Sequence, residues 1–317
     1  MSDVPLAIGV DFGGTSVKIG LLYRSNIIDS TPTIATLDYE TPDALIDAIA
    51  ESIAVLRGRH PNIEAVGVGV PGFVDFNKGI IHNLTNVPGW KSIPLRNLLM
   101  EKIGLPCVIE NDANCMAYAE WKRGAGRGMS NLIALTLGTG VGGGVIVNGA
   151  LVRGARSGAG EIGQMSIDFQ GRKGAYHNSG ALEDYIGNNE IAADARERYA
   201  AKGIERNIND CTPHALSLAA QTGDEIAVEI WEDVANKLAT VLVGCCYLLN
   251  PQAIIIGGGV AKAGEVLFSP LQRRVLAQLS GPFRDYLQIL PARFSNEAGM
   301  IGAATLGLER AGFQVDD

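Results

Sequence analysis

The chain has 317 residues, of which 47% are hydrophobic and 19% are charged, and its formal net charge is −8. This length allows two domains or one large α/β unit, and the composition is that of a packed globular protein, not a disordered chain. The acidic balance argues against a nucleic-acid partner, and because there is no long apolar run and no signal-peptide pattern, no membrane partner is expected. The five cysteines are scattered and show no CxxC spacing, which predicts a reducing, cytoplasmic location.

The first predicted strand covers residues 6–11 and leads through Phe12-Gly13-Gly14-Thr15 into a second strand over 16–22. A similar pattern returns in the second half of the chain, as a strand, a glycine-rich loop and a strand at 132–137, 138–144 and 145–147. The Asn148-Gly149 turn that follows is a strong hairpin signal. Each half is therefore predicted to open with an antiparallel hairpin whose first turn is rich in glycine.

Strands and helices alternate through the rest of the chain. The predicted elements are helices over 42–57, 95–103, 113–121, 225–249 and 299–311, and strands over 65–70, 107–110 and 253–256. Pro42 near the start and Gly58 past the end of the first helix are typical of helix boundaries. The alternation predicts an α/β fold with two related lobes and a cleft between them.

The glycine-rich stretch 124–128 marks the expected boundary between the lobes. A smaller N-terminal α/β lobe is expected over residues 1–122 and a larger C-terminal α/β lobe over 123–298. The closing helix, at about residues 299–317, is rich in small residues and is expected to pack back on the N-terminal lobe.

Three glycine turns are candidate phosphate-binding loops. Gly138-x-Gly140-x-x-Gly143 matches a dinucleotide-binding pattern, but that pattern requires a following helix, and a strand follows here. A P-loop pattern, GxxxxGK[ST], does not occur. The N–H groups of a glycine turn can bind an anion, or the turn can simply close a hairpin. Three such turns in a repeated fold favour nucleotide binding, and the residues concerned are Gly13, Gly14, Thr15, Gly138, Thr139, Gly140, Gly257, Gly258 and Gly259.

Asp11 and Lys18 flank the first of these turns. A carboxylate at the end of the first strand can orient Mg²⁺ through water, because Mg²⁺ keeps several waters and takes few protein ligands. Lys18 lies in the second strand, where its charge is either directed at the nucleotide or simply exposed to solvent.

Asn111 and Asp112 lie where a predicted strand turns into a helix. Asn and Asp are preferred N-cap residues, so a structural role alone explains their presence. In the functional alternative, Asp112 accepts the proton of an attacking sugar hydroxyl, since a helix N-terminus keeps a carboxylate ionised, as a base requires. The two roles are compatible, because one oxygen can cap the helix while the other points to a substrate.

Two further acids and one amide are candidates for binding a sugar. Glu161 lies among glycines and beside the apolar Ile162, a setting that suits bidentate binding of adjacent hydroxyls. Glu183 is equally explained as an acid at a helix start. Asn86 precedes the Pro88-Gly89-Trp90 turn and is equally explained as a turn residue.

Four segments carry a resemblance to a known family. They are Asp11-Phe12-Gly13-Gly14-Thr15, Glu110-Asn111-Asp112-Ala113-Asn114, Leu137-Gly138-Thr139-Gly140-Val141-Gly142-Gly143-Gly144 and Gly160-Glu161-Ile162-Gly163. In this order, and over nearly its whole length, the chain resembles the ROK family (repressors, open reading frames and sugar kinases), in particular its bacterial glucokinases. The resemblance implies a two-lobed actin-like ATPase fold (ribonuclease H-like, hexokinase-type) with ATP and sugar between the lobes.

The same resemblance implies roles for the candidate residues. Asp112 is the expected catalytic base. The expected sugar contacts are Gly72 (through its backbone), Asn86, Asn111, Asp112, Glu161, Gln164 and Glu183. The loops at 13–15 and 138–140 are expected to bind phosphates, with 257–259 near the adenosine.

Gln164 marks a departure from the family pattern. Kinases of this family usually have His here, followed by a CxCGxxGC cluster, and the His and three of the cysteines bind structural zinc. The three cysteine positions are occupied here by Gly174, Tyr176 and Ala181, none of which supplies a thiolate. We therefore expect no structural zinc, with residues 172–180 held by ordinary packing or left mobile. The family His also helps bind sugar, and because Gln never carries the imidazolium charge, the sugar specificity stays open.

The expected function is that of an ATP- and Mg²⁺-dependent hexokinase that phosphorylates the 6-hydroxyl of a hexose, with glucose as the first expectation. Kinases for fructose, mannose, allose or an N-acetylhexosamine remain alternatives, and polyphosphate remains an alternative donor. A sugar-responsive regulator of the same family would carry a helix-turn-helix before the first strand, and the start of that strand at Leu6 argues against it. The resemblance also implies a homodimer or homotetramer.

Overall fold

The structure is a computed structural model, and it describes residues 4–84, 87, 89–174 and 176–315. The chain forms two compact units. The first contains Met1–Gly128, Leu151–Gly160 and Phe294–Asp317, and the second contains Met129–Ala150 and Glu161–Arg293. These units begin and end at residues other than the expected lobe boundaries, and the first unit also includes Leu151–Gly160. The lobes themselves remain a prediction.

The first unit opens with β1 (Leu6–Phe12) and β2 (Ser16–Tyr23), which pair antiparallel, as the glycine turn between them predicts. The Gly13 N–H closes that turn by donating to the Ser16 carbonyl at 2.8 Å. The elements that follow are β3 (Asn26–Ser30), β4 (Ile34–Ala35), α1 (Pro42–Arg59), β5 (Ile63–Val70), β6 (Phe73–Asp75), β7 (Ile80–Asn83), β8 (Lys91–Ile93), α2 (Leu95–Ile103), β9 (Cys107–Asn111) and α3 (Asp112–Arg123).

Five of these strands form a sheet in the order β3-β2-β1-β5-β9, and β4 pairs with β2. β5 runs parallel to β1, and β9 runs parallel to β5. The central strands β1 and β5 are almost wholly buried, which explains why their sequences are apolar except for Asp11 in β1 and the exposed Glu64 in β5. β6, β7 and β8 form a separate antiparallel sheet.

Helix α1 shows how local sequence specifies one of these elements. The Thr41 hydroxyl accepts from the Ala44 N–H at 3.3 Å, and Pro42 occupies the first turn, where its missing N–H is not needed. The helix continues to Arg59, so the prediction that it ends before Gly58 is wrong. Gly58 has open space around its Cα and no positive φ, so nothing at that residue stops the helix. The buried face of α1 consists of Leu45, Ile46, Ile49, Ile53 and Leu56.

The elements from residue 132 to residue 291 are β10 (Leu132–Leu137), β11 (Val141–Val147), β12 (Ala150–Leu151), α4 (Glu183–Ile186), α5 (Asn188–Ala201), α6 (Pro213–Gln221), α7 (Glu225–Leu249), β13 (Ala253–Gly257), α8 (Glu265–Ala277), α9 (Gly281–Arg284) and β14 (Gln288–Pro291). All of them belong to the second unit except β12, whose Leu151 belongs to the first. The five strands form a sheet in the order β12-β11-β10-β13-β14. β10 and β11 are antiparallel, whereas β13 runs parallel to β10 and β14 to β13. This order repeats that of the first sheet, so the predicted repeat is confirmed for the two sheets.

Helix α7 has 25 residues and the boundaries that its sequence predicts. The Asp224 carboxylate caps it by accepting from the N–H groups of Ile226 and Ala227. Asn250 adopts the left-handed conformation with φ of 45°, and Pro251 prevents continuation. None of the helices among the described residues combines the length and the apolarity that a membrane span requires.

The last helix, α10 (Ala298–Arg310), belongs to the first unit and packs against β1, β5 and α3. The backbones approach so closely that a Cβ at Gly302 would overlap the Cys115 carbonyl oxygen. Likewise, a Cβ at Gly67 would overlap the Ala303 carbonyl oxygen. Side chains at these positions would force the helix away from the sheet, which explains the small residues of the closing segment.

Candidate active site

The end of β9 and the first turn of α3 carry the acidic motif of the first unit. Asn111 caps α3, because its side-chain oxygen accepts from the Asn114 N–H at 3.1 Å. Asp112 is the first helical residue, and its Oδ1 accepts from the Ala113 N–H at 2.8 Å. Asn111 is therefore the N-cap residue of α3, and the Asp112 carboxylate lies at the positive end of the helix dipole.

Gly72 lies beside this turn. Its carbonyl oxygen accepts from Asn111 Nδ2 at 3.2 Å, so the structure brings these two predicted sugar contacts together. Gly72 has φ of +84°, and a Cβ there would lie 2.9 Å from the Asn83 carbonyl oxygen. Any larger residue would be strained in both conformation and space. Asn86, another predicted sugar contact, lies outside the described residues.

Asp11 and Lys18 face each other in the register of β1 and β2. Burial raises the pKa of the Asp11 carboxyl, and the Lys18 charge opposes that rise. A Cβ at Gly299 would lie 2.9 Å from the Asp11 carboxyl carbon, so the carboxyl lies against the first turn of α10. A nearby cation would stabilise the charged form of such a group.

The turn at 13–15 is held by a residue that sequence reasoning missed. The Thr36 hydroxyl donates to the Gly13 carbonyl at 3.1 Å, and the Thr36 N–H donates to the Thr15 carbonyl at 3.0 Å. Thr36 is fully buried, whereas Gly13 and Gly14 are half-buried and Thr15 is exposed. The turn is thus fixed by the core while its own residues stay accessible.

In the second unit, Glu183 connects two of the predicted site segments. Its Oε2 accepts from the Val141 N–H at 2.8 Å, and its Oε1 accepts from Gln164 Nε2 at 3.2 Å. A Cβ at Gly140 would overlap Glu183 Oε2. The structure therefore brings Gly140, Gln164 and Glu183 into one cluster.

Glu161 lies close to the same cluster. Desolvation and then the charge of Glu183 raise the pKa of Glu161. Desolvation and the charges of both acids also raise the pKa of the Tyr176 phenol. Two carboxylates and a phenol thus share this region of the second unit. Sequence reasoning missed Tyr176, because nothing in its local sequence indicates a sugar site.

The nucleotide candidates at 138–140 and 257–259 adjoin a pocket of the second unit. The pocket measures about 770 Å³, and small-molecule sites usually measure roughly 300–1,000 Å³. The Asn188 N–H donates to the Gly138 carbonyl at 2.8 Å, so one residue contacts the loop and also lines the pocket. Other lining residues, most of which sequence reasoning missed, are Asn209, His214, Ser217, Gly259 and Lys262.

Close backbone contacts fix these loops. Gly258 has φ of +88°, and a Cβ there would overlap the Leu137 carbonyl oxygen. A Cβ at Gly187 would lie 2.6 Å from the Thr139 carbonyl oxygen. The ends of β10 and β13 therefore hold the two loops side by side within the second unit.

Hydrogen bonds hold the segment 172–180, for which the sequence predicts no structural zinc. The Arg172 guanidinium donates to the Asp184 carbonyl at 2.8 Å and to the Asp194 carboxylate at 2.7 Å. Asn178 Nδ2 donates to the Gln164 carbonyl at 3.0 Å. In the part of the chain that the structure describes, no three His, Cys, Asp or Glu side chains are grouped as a metal site. The expected lack of structural zinc stays a prediction, which metal analysis of the purified protein tests.

A sequence profile of the ROK family matches residues 7–310. This chain belongs to the ROK family. A glucokinase of Streptomyces coelicolor is 33% identical to it over 314 residues, which cover 96% of this chain and 98% of that relative. A glucokinase of Thermotoga maritima is 33% identical over 311 residues, with the same coverage of 96% and 98%.

The ROK fold is also found among solved structures. A crystal structure of a ROK family glucokinase from Streptomyces griseus, in complex with glucose and AMPPNP, matches with a TM-score of 0.81 at 31% identity. The match covers 96% of this chain and 99% of that one. The predicted α/β fold of the two-lobed actin-like ATPase type is therefore confirmed, as is the family resemblance inferred from the four motifs.

Proposed function

We propose that this chain is an ATP-dependent glucokinase, which transfers the γ-phosphoryl group of ATP to the 6-hydroxyl of glucose. Two glucokinases at 33% identity over nearly the whole chain support the proposal, as does a related fold that binds glucose and AMPPNP. The structural observation that carries it is the position of Asp112 on the first turn of α3, beside the capping Asn111.

Asp112 is proposed as the general base. The dipole of the 12-residue helix α3 stabilises the ionised carboxylate, which is the form that accepts a proton. The proton of the sugar 6-hydroxyl passes to this carboxylate as the hydroxyl oxygen forms its bond to the γ-phosphorus. The bond from that phosphorus to the bridging oxygen breaks, and ADP leaves.

The other proposed sugar contacts are Gly72, Asn86, Asn111, Glu161, Gln164 and Glu183. Sugar hydroxyls donate and accept hydrogen bonds, and this set offers both carboxylates that accept and amides that do both. The hydrogen bond from Gln164 to Glu183 orients both side chains before a sugar binds. Such preorganisation lowers the entropy cost of binding.

ATP is proposed to use the glycine loops. The pocket beside Gly259 suits the adenosine in size, and Asn188 connects it to the loop at 138–140, which is proposed to bind phosphates. The accessible turn at 13–15 and the Lys18 charge are proposed as further phosphate contacts. Backbone N–H groups in turns of this kind form concavities that attract anions.

Mg²⁺ is proposed to be held near Asp11 through water. The half-buried Asp11 carboxyl fits this role, because burial raises its pKa and a cation would favour its charged form. When bound, Mg²⁺ neutralises negative charge on the phosphates.

A kinase for another hexose is the second candidate, and Gln164 is the observation that favours it. Gln164 donates directly to Glu183, so the departure from the family's His lies at a proposed sugar contact. Gln supplies no imidazolium charge, and it offers an amide oxygen that a protonated His lacks. Fructose, mannose, allose and N-acetylhexosamines are therefore included in the test.

We also propose that the protein is a cytoplasmic homodimer or homotetramer that acts in carbohydrate metabolism. All five cysteines are free and buried, as suits a reducing compartment. Light scattering at micromolar concentration tests the subunit number, and a monomer would contradict this part of the proposal.

Sugar-dependent ADP release from Mg·ATP, measured across a panel of hexoses, tests the function. We expect glucose to give the highest kcat/KM. A higher value for another hexose would establish the second candidate, whereas no ADP release with any sugar would refute the kinase.

A further inference from the structure

Glu110 is a buried acid that the proposed reaction does not use. It is 1% exposed, and its Oε2 accepts from Arg153 Nε at 2.6 Å. Its Oε1 accepts from the Asn111 N–H at 2.9 Å and from Asn114 Nδ2 at 3.0 Å. Glu110 therefore links the Arg153 guanidinium to Asn111 and Asn114, which lie on either side of Asp112 in the sequence.

Arg153 belongs to Leu151–Gly160, which is part of the first unit although the second unit precedes and follows it in sequence. Its guanidinium carbon lies 3.7 Å from the centroid of the Phe76 ring, and its side chain is 25% exposed. The Ala159 N–H donates to the Arg153 carbonyl at 3.1 Å, and the Phe76 N–H donates to the Ser157 hydroxyl at 3.3 Å. These contacts give the segment and its arginine a defined position.

We propose that Glu110 and Arg153 are a positioning pair that fixes the turn carrying the catalytic Asp112, an inference that rests on the proposed function. Glu110 holds the backbone of Asn111 and the side chain of Asn114 from the core side. Arg153 forms an ion pair with Glu110, so that the buried carboxylate has both a charged partner and hydrogen-bond donors.

The local distribution of charge shows why the arginine matters. Burial, followed by the charges of Glu110, Asp112 and Asp11, raises the pKa of the Cys115 thiol, whereas Arg153 opposes the rise. Three carboxylates and one guanidinium thus act on the same buried position. Removing the guanidinium leaves an uncompensated buried carboxylate, which has to rearrange or admit water.

Arg153→Met tests this arrangement at saturating glucose and ATP. A catalytic group displaced by about 1 Å can lose about 10²-fold in rate, and we expect kcat to fall by roughly 10- to 100-fold. The KM for ATP should stay unchanged, because the pair contacts none of the proposed nucleotide residues. A pair with a purely structural role would lower the unfolding temperature and leave the kcat of the folded enzyme unchanged.

The double variant E110Q/R153M separates charge from packing. The amide oxygen that replaces the Glu110 carboxylate can still accept from the Asn111 N–H, and no buried charge is left without a partner. We therefore expect the decrease in log kcat of the double variant to be at most half of the decrease in Arg153→Met. Arg153→Lys keeps the charge but loses the planar fork over Phe76, so its kcat should lie between those of wild type and Arg153→Met.

Two further variants serve as controls. Arg59→Met removes an exposed ion pair of the same unit, with Asp29, and should leave kcat unchanged. Asp112→Asn, together with wild type, shows whether the proposed function itself holds.

If wild type is an active kinase and Asp112→Asn is not, a kcat of folded Arg153→Met within twofold of wild type overturns the positioning pair. An equal loss in the single and double variants also overturns it. If Arg153→Met does not fold, Arg153→Lys decides: reduced kcat with normal unfolding supports the pair, and wild-type kcat refutes it.

Discussion

The Glu183 carboxylate occupies the space beside the Gly140 Cα that any side chain at residue 140 would need. From this position Glu183 accepts hydrogen bonds from Val141 and Gln164. Gly140 has no positive φ, so its backbone conformation is open to other residues, and the requirement for glycine is one of space. Gly140 of the glycine-rich turn therefore leaves the space that Glu183, a proposed sugar contact, occupies.

Gly140→Ala should therefore impair sugar binding. The new methyl group displaces Glu183 and breaks its bond with the Val141 N–H. A hydrogen bond to a charged group is worth about 1.5–3 kcal/mol, so we expect the KM for glucose to rise by roughly 10- to 100-fold. Steady-state kinetics with glucose as the varied substrate measures this.

Gly244→Ala is the matched control for that change. Gly244 lies in α7 of the same unit, and a Cβ there meets nothing within 4 Å. Its glucose KM should equal that of wild type, and an equal rise in both variants would refute the specific role of Gly140.

Substitution of Gln164 tests the sugar end of the same cluster. Gln164→Glu replaces a donor with a second carboxylate 3.2 Å from Glu183 Oε1, where two like charges repel. We expect a large rise in glucose KM near neutral pH and partial recovery at lower pH, where one carboxylate is protonated. Gln164→His keeps a donor and should bind glucose better than Gln164→Glu at neutral pH. Equal KM values for the two variants would contradict this role.

The pH dependence of glucose binding should report Glu161. Desolvation and the Glu183 charge raise the pKa of Glu161 above its ordinary value near 4.5. As the pH falls, Glu161 is therefore protonated earlier than an ordinary glutamate, and it loses acceptor capacity. Glucose KM should rise on the acid side, and Glu183→Gln should move that rise to lower pH because the like charge is gone. If glucose KM rises at the same pH in Glu183→Gln as in wild type, the proposed effect of the Glu183 charge on Glu161 is refuted.

The contact between α10 and α3 should set the stability of the first unit. A Cβ at Gly302 would overlap the Cys115 carbonyl oxygen, which cannot move without shifting α3. We expect Gly302→Ala to lower the free energy of unfolding by about 1–3 kcal/mol or more. Gly58→Ala, in open space on α1, should raise it by about 0.4–1 kcal/mol. Denaturant unfolding measures both, and a neutral Gly302→Ala would show that the helices do not pack this closely.

Much of this fold follows from local signals in the sequence. The hairpins at β1–β2 and β10–β11 are predictable from glycine turns between apolar strands, and α7 is predictable from its length, Asp224 and Asn250-Pro251. The motif residues Asp112 and Glu161 are recognisable because the family resemblance places them in short, ordered segments.

The contacts that complete the site depend on residues that are distant in sequence. Val141 and Glu183 are 42 residues apart, and Glu110 and Arg153 are 43 apart, with no local pattern that relates them. The pocket beside Gly259 draws on residues from α5 and α6, such as Asn188 and His214, whose local sequences indicate only helix starts. Such pairs are set by tertiary packing, which a single sequence does not reveal.

The proposal that Asp112 is the base of a glucose kinase is tested by measuring turnover and glucose affinity in parallel in Asp112→Asn. Loss of a general base typically costs about 10²–10⁴ in rate. We predict that kcat for glucose 6-phosphate formation falls by that factor, while the glucose Kd from calorimetry changes by less than about tenfold, or 1.4 kcal/mol. A variant that retains wild-type kcat would contradict the claim.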